Sequence, residues 1–305
     1  MPIETGILEP GMSGTPSLQW NRDDEGIVTL TLSGPDPETR GGVVVMDQWL
    51  LDSLCAALDQ VEQSDPTGLI LKSASNRVFV AGADLVEIDK LDDEALHAYL
   101  EQGASALHRI NKLPCPSVCL INGAALGGGL EIAMHCDALV GVQPAADRKP
   151  YQVGLPEASL GLCPGWGGTQ MLPARMDIYD AICRTARGQT WGADEHPDGF
   201  LDVQVEQVEH LDEAARNWIR ENRGAERSPF PRCLQDIDRD TLEDALDRAG
   251  DDLEDTETVN AVLQIIRIGM ELGWEAGVAE ERRALVHLRG TDDARSRLEK
   301  FFARH

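Results

Sequence analysis

The sequence predicts an α/β fold, in which a parallel sheet is built from repeated strand and helix units and a helical region closes the chain. Three observations carry that prediction. Short apolar runs alternate with stretches of helical periodicity through the first half of the chain. Beyond residue 260 the pattern becomes purely helical. The 305 residues are 42% hydrophobic, enough to bury a substantial core, either as one large domain or as a core with an appended segment.

Residues 1–16 are expected to form a flexible leader. Across 17–33, apolar and polar residues alternate on both sides of a charged turn (Ser17-Leu18-Gln19-Trp20, then Gly26-Ile27-Val28-Thr29-Leu30-Thr31-Leu32-Ser33), which is the pattern of a hairpin. Trp49, Leu50, Leu54, Ala57, Leu58 and Val61 recur at three and four and make 49–61 an amphipathic helix. Gly68-Leu69-Ile70-Leu71-Lys72 reads as a buried strand. The unit then repeats, with a loop over 79–84, a long helix over 92–111 and the strand Ser117-Val118-Cys119-Leu120-Ile121. A third loop and helix fill 122–136, before the strand Ala138-Leu139-Val140-Gly141-Val142.

The composition changes after Thr190: residues 190–258 hold 21 acidic and 7 basic side chains, as expected of solvated amphipathic helices and loops. From 260 to 302, Leu263, Ile266, Met270, Trp274 and Val278 form an apolar face for docking on the core or on another subunit. The expected organisation is thus a core over 17–205, followed by an acidic linker and a C-terminal helical oligomerisation region over 206–305.

The net charge is −26, from 53 acidic and 27 basic residues, which repels polyanions and disfavours nucleic acid and anionic lipid as partners. No apolar run is long enough to span a membrane, and the N-terminus lacks a basic start followed by an apolar stretch, so membrane insertion is not expected and the cytoplasm is the expected compartment. Seven cysteines without a paired Cys-x-x-Cys framework suit buried thiols in a reducing environment. The seven histidines show no ligand spacing, and neither a metal site nor a cofactor is expected. His135 and Cys136 read as packing or hydrogen-bonding residues.

Three segments could carry chemistry. In Asn122-Gly123-Ala124-Ala125-Leu126-Gly127-Gly128-Gly129-Leu130-Glu131, three glycines stand between a strand and a helix. Glycine lets a ligand approach the backbone, and the first helical turn presents unpaired N–H groups and the positive end of its dipole. Glu131 lies within about one turn of Gly128, close enough to act on whatever binds there. The same features would also serve tight packing and dipole compensation. The run lacks the Gly-Lys-Ser/Thr ending of a phosphate loop and the Gly-x-Gly-x-x-Gly order of a dinucleotide fold. The second segment, Ala81-Gly82-Ala83-Asp84, is a small-residue turn after a strand. The third places Gly154-Leu155-Pro156-Glu157 ahead of the glycine-rich Gly165-Trp166-Gly167-Gly168-Thr169-Gln170.

Together and in this order, the three segments resemble the crotonase (enoyl-CoA hydratase/isomerase) superfamily, with most similarity to the hydratase part of multifunctional fatty-acid oxidation proteins. The resemblance covers roughly 17–205, with an echo at 260–302. It implies a crotonase-like spiral of repeated ββα units with C-terminal helices that assemble homotrimers or dimers of trimers. It also implies a lyase reaction, hydration of a 2-enoyl thioester whose coenzyme A belongs to the substrate. Glu131 and Glu157 match the two hydratase glutamates. The N–H groups of Ala83 and Gly128 match the oxyanion hole, while Ala81, Asp84, Gly127 and Trp166 fall where substrate would be contacted. The residues 146–151 lengthen the spacing between the glutamates to 26, like the insertion of the multifunctional proteins. With the chain ending at His305, a stand-alone unit without their dehydrogenase domain is expected.

One departure concerns the coenzyme. Many relatives carry a phosphate-contacting lysine where this chain has Val86, and Arg77, Lys90, Arg148 and Lys149 are the candidate replacements. Two other readings stay open: an enoyl-CoA isomerase, which can work with one base, and a catalytically weak acyl-CoA-binding or assembly subunit.

Overall fold

In the computed structural model, which describes residues 4–6, 18–36, 39–144 and 149–303, successive turns of the chain lay strands alternately into two sheets. The edge strand β1 (Glu4–Gly6) pairs with β2 (Gln19–Arg22), so this part of the expected leader joins the sheet; the rest of 1–17 falls outside the described residues. The expected hairpin is β2 with β3 (Ile27–Leu32), in antiparallel register Gln19 to Thr31. Its turn is held by Asp23, whose Oδ1 accepts the N–H groups of Glu25 and Ile27, both at 2.9 Å.

Helix α1 (Gln48–Gln63) begins where the Asp47 carboxylate accepts Leu50 N–H, and buries Leu50, Leu54, Leu58 and Val61. Then come β4 (Gly68–Ser73) in the larger sheet, β5 (Val78–Val80) in the smaller, the one-turn helix α2 (Leu85–Ile88), and the long α3 (Asp93–Lys112). The next turn is β6 (Ser117–Ile121), β7 (Ala124–Leu126) and α4 (Gly128–Met134), and the one after it begins with β8 (Ala138–Val142) and β9 (Gln152–Gly154). Strands β3, β4, β6 and β8 run parallel, as do β5, β7 and β9. Every residue of β6 and β8 is buried, which explains why they read as continuous apolar runs instead of alternating ones. The expected α/β spiral of ββα turns is therefore the architecture found.

After β9 come a 3₁₀ turn (Glu157–Leu160), α5 (Gly168–Met171), α6 (Ile178–Arg187) and β10 (Thr190–Gly192), which lies antiparallel on β9. The acidic stretch then contributes to the core in two ways. Strand β11 (Val203–Val205) extends the larger sheet beside β8. Helix α7 (Leu211–Asn222) lays Leu211, Ala215 and Ile219 over that sheet's second face, against Ile27, Ile70, Val118 and Val140. Its Arg216 and Arg220 pair with Asp23 and Glu25 of the hairpin turn.

Helices α8 (Arg239–Asp252), α9 (Glu257–Leu272), α10 (Trp274–Arg289) and α11 (Asp292–Phe302) complete the chain. Leu263, Ile266, Trp274 and Val278 are buried within the chain itself, so this apolar face is covered without a second subunit. Gly269 and Gly277 let α9 and α10 close on Gln170, whose Oε1 would lie 1.7 Å and 2.4 Å from a Cβ at those positions. No helix among the described residues is long and apolar enough to cross a membrane, and all seven cysteines are free.

Candidate active site

The C-terminal ends of β5, β7 and β9 open onto one cavity of about 100 Å³, which Ala81, Ala83, Gly127, Gly128, Glu131 and Glu157 help to line. Leu85, Ile88, Trp166 and Leu285 add apolar lining. The topology thus brings together residues that lie far apart in sequence, from Ala81 to Leu285.

The hydrogen bonds beside this space fix the direction of two backbone N–H groups. Gly82 C=O accepts Met46 N–H at 2.8 Å, and because a trans peptide holds its C=O and N–H on opposite sides, Ala83 N–H points away from Met46. On the other wall, Gly127 C=O accepts the N–H groups of Leu130 and Glu131 at the start of α4, so Gly128 N–H points back out of the helix. Three glycines stand here for separate reasons. Gly127 has φ +51°, and a Cβ there would lie 2.5 Å from Glu157 Oε1; one on Gly128 would lie 2.4 Å from Trp166 Cζ3, and one on Gly129 2.0 Å from Val80 O. The Trp166 ring is fixed by its Nε1–H bond to Leu100 O at 3.0 Å and by Tyr99, 5.6 Å away between ring centroids.

The carboxylates differ in their partners. Glu131 is buried, and its Oε1 accepts both Trp166 N–H at 2.7 Å and Gly168 N–H at 2.8 Å. Burial raises its pKa well above the usual carboxylate range, the neighbouring Glu281 and Glu157 add to this, and the two N–H donors oppose it. Glu157 sits at the start of the 3₁₀ turn and is half-buried. Its enclosed Oε2 has no hydrogen-bond partner among the described residues, and burial pushes its pKa up to about 8. Burial thus raises both carboxyls, and what distinguishes them is their partners: two N–H donors favour the ionised form of Glu131, whereas Glu157 Oε2 has none among the described residues.

Glu157→Gln isolates the cost of that ionisation. A carboxyl whose pKa is higher when folded contributes stability fully below its unfolded value near 4.5, and loses it as pH rises toward about 8. The variant lacks this slope, so its stability relative to wild type is expected to improve by on the order of 1–3 kcal/mol between pH 5 and pH 8.5. Chemical denaturation at the two pH values checks this, and a constant difference would contradict it.

Asp84 does not line the cavity. Its Oδ1 accepts Val86 N–H at 3.0 Å and Glu87 N–H at 3.2 Å, because a helix starting at Leu85 leaves those donors without partners. His135 and Cys136 are buried behind the site. His135 Nε2 meets Trp166 O at 3.0 Å, and burial pushes its pKa down to about 3, so the ring is neutral. Arg77 and Lys149 line a separate cavity beside Asn122 and Gly123, while Val86 is 53% exposed next to Leu85. Arg148 lies outside the described residues.

The sequence reading missed Glu281 of α10. This residue is fully buried, and its carboxylate accepts Gly167 N–H, Thr169 N–H and Thr169 Oγ1–H. In Glu280-Glu281-Arg282-Arg283 it looks solvated, yet it shares the helical phase of Trp274, Val278, Leu285 and Leu288.

Residues 23–248 match the protein family described as enoyl-CoA hydratase/isomerase. Among individual proteins, the chain is 27% identical over 290 residues to the fatty acid oxidation complex subunit alpha of Idiomarina loihiensis, an alignment covering 92% of this chain and 40% of that one. It is 31% identical over 210 residues to a probable enoyl-CoA hydratase of Bacillus subtilis, covering 68% of this chain and 75% of the relative. A crystal structure of an enoyl-CoA hydratase from Bacillus halodurans has the same fold, with TM-score 0.64 and 18% identity over 93% of this chain and 99% of that one.

Proposed function

The chain belongs to the enoyl-CoA hydratase/isomerase family, and on that premise we propose that it is a hydratase adding water to a 2-enoyl-CoA thioester. The observation that carries this reading is the presence of two carboxyl groups with unequal partners, Glu131 and Glu157, in one cavity with the N–H groups of Ala83 and Gly128.

The thioester oxygen accepts both N–H groups. Glu131 takes a proton from water as its oxygen attacks the β-carbon, and the π-electrons move onto the thioester oxygen, where each aimed donor contributes on the order of 3 kcal/mol. As that enolate collapses, Glu157 delivers its proton to the α-carbon. Water has then been added across the double bond, and a proton passing from Glu131 to Glu157 restores the starting state. The cavity's volume of about 100 Å³, with the held Trp166 indole in its lining, favours short acyl chains.

Hydration rates across short, medium and long 2-enoyl-CoA thioesters test the proposal, with the highest kcat/KM expected for the shortest. The profile against pH is expected to fall above about 8 as Glu157 loses its proton. A flat profile through that range would remove Glu157 as the acid. Assembly as a trimer rests on the family resemblance, and sedimentation at micromolar concentration tests it.

A further inference from the structure

The segment 166–169 gives its four consecutive backbone N–H groups alternately to two buried carboxylates. Trp166 and Gly168 donate to Glu131 Oε1, at 2.7 and 2.8 Å. Gly167 donates to Glu281 Oε2 at 2.5 Å and Thr169 to Glu281 Oε1 at 2.9 Å, with the Thr169 hydroxyl adding a third bond at 2.5 Å. Gly167 takes φ +101°, a left-handed backbone that turns successive peptides to opposite sides, and a Cβ there would lie 2.5 Å from Trp274 Cη2. Glu281 is absent from the cavity lining, so it does not touch what binds there.

We propose that Glu281 is a positioning residue for Glu131: by holding Gly167 and Thr169 it directs the N–H groups of Trp166 and Gly168 onto the carboxylate that works on substrate. This rests on the hydratase reading for its kinetic consequence, though not for the geometry. The helix α10 thereby supplies a part that the spiral core lacks. Glu281 also acts through its charge. The groups its field reaches are Glu131 on α4, Glu157 on the 3₁₀ turn and the Cys163 thiol; burial raises its own pKa to about 7, opposed by the Thr169 and Gly167 donors and by Arg282 on its own helix. Negative charge on Glu281 makes Glu131 harder to ionise.

Glu281→Gln keeps the shape but places an NH₂ group where one carboxylate oxygen stood, opposing either Gly167 N–H or the Thr169 donors. With Glu131 no longer held, kcat for hydration of a 2-enoyl-CoA is expected to fall by about 10- to 100-fold, with KM changed less than about threefold. The acid limb of the kcat profile is expected to move to lower pH, because Glu131 has lost a negative neighbour. If Glu281 served packing alone, folding yield and Tm would drop while kcat per folded site and the acid limb stayed put, and that result overturns the proposal.

Should the Gln variant not fold, Glu281→Asp retains the charge on a shorter stem. It is expected to lower kcat with the acid limb unmoved, and an unchanged kcat overturns the proposal. If wild type itself hydrates nothing, the hydratase reading has failed, and infrared titration of the substrate-free protein still decides the positioning claim. The protonated-carboxyl band lost in Glu131→Gln is expected to titrate at lower pH in Glu281→Gln, or in Glu281→Asp to change frequency as its N–H bonds change. A band that keeps both its midpoint and its frequency overturns the proposal.

Discussion

Glu131→Gln is expected to lower kcat for hydration of a 2-enoyl-CoA by about 10²- to 10⁴-fold while leaving the fold intact. The fold survives because both N–H bonds to this side chain fall on Oε1, an oxygen that glutamine retains and can present to Trp166 and Gly168 in the same way. What is lost is the ability to take a proton from water. Glu157→Gln is expected to show a loss of similar size, since an amide cannot deliver the proton to the α-carbon. Because the proposed mechanism has the two groups act on one water and one double bond, the double variant should be little slower than the worse single one. Stopped-flow or steady-state loss of the conjugated thioester absorbance measures all three. Near wild-type rates in both folded single variants would favour a binding or assembly role.

Gly128→Pro is the second change with a large expected effect, and its meaning depends on a control. Proline is accepted at the first position of a helix, and it deletes the N–H proposed to meet the thioester oxygen. Any side chain at 128 also meets the Trp166 ring, since a Cβ there would lie 2.4 Å from Cζ3 and 2.9 Å from Cε3. Gly128→Ala carries that steric burden while keeping the N–H, and overpacking of this kind costs about 1–3 kcal/mol of stability. The proline variant is expected to be at least about 100-fold slower than the alanine variant, with substrate affinity changed much less. Equal rates for the two would mean that the Gly128 N–H stabilises no charge in the transition state.

How much of this was legible in the sequence follows from the length of each signal. Strands β4, β6 and β8 have five or six mostly buried residues and stand out as apolar runs. Their partners in the smaller sheet, β5, β7 and β9, have three residues each, too few to show a period, and emerge only from the family resemblance. Helix α7 was obscured by the charge around it, although Leu211, Ala215 and Ile219 form a narrow apolar stripe that the sheet covers. In the site, Glu131 and Glu157 were recognisable because each sits beside a glycine turn of unusual composition. Glu281 was not, because a buried carboxylate on a charged helix has no local mark and its partners lie more than a hundred residues away. Asp84 is placed near substrate by the family resemblance alone, and its cap on α2 has no mark in the sequence beyond the Asp itself.

The central claim is that two carboxylates add water to a conjugated thioester instead of merely moving a double bond. It is tested most directly by offering the purified protein crotonyl-CoA and, separately, a 3-enoyl-CoA, in water enriched in oxygen-18, and weighing the products. The account predicts that crotonyl-CoA gains the mass of one labelled water to give 3-hydroxybutyryl-CoA, and that Glu131→Gln and Glu157→Gln each abolish most of that gain. Failure of crotonyl-CoA to take up label, together with conversion of the 3-enoyl thioester to its 2-enoyl isomer without added mass, would contradict it.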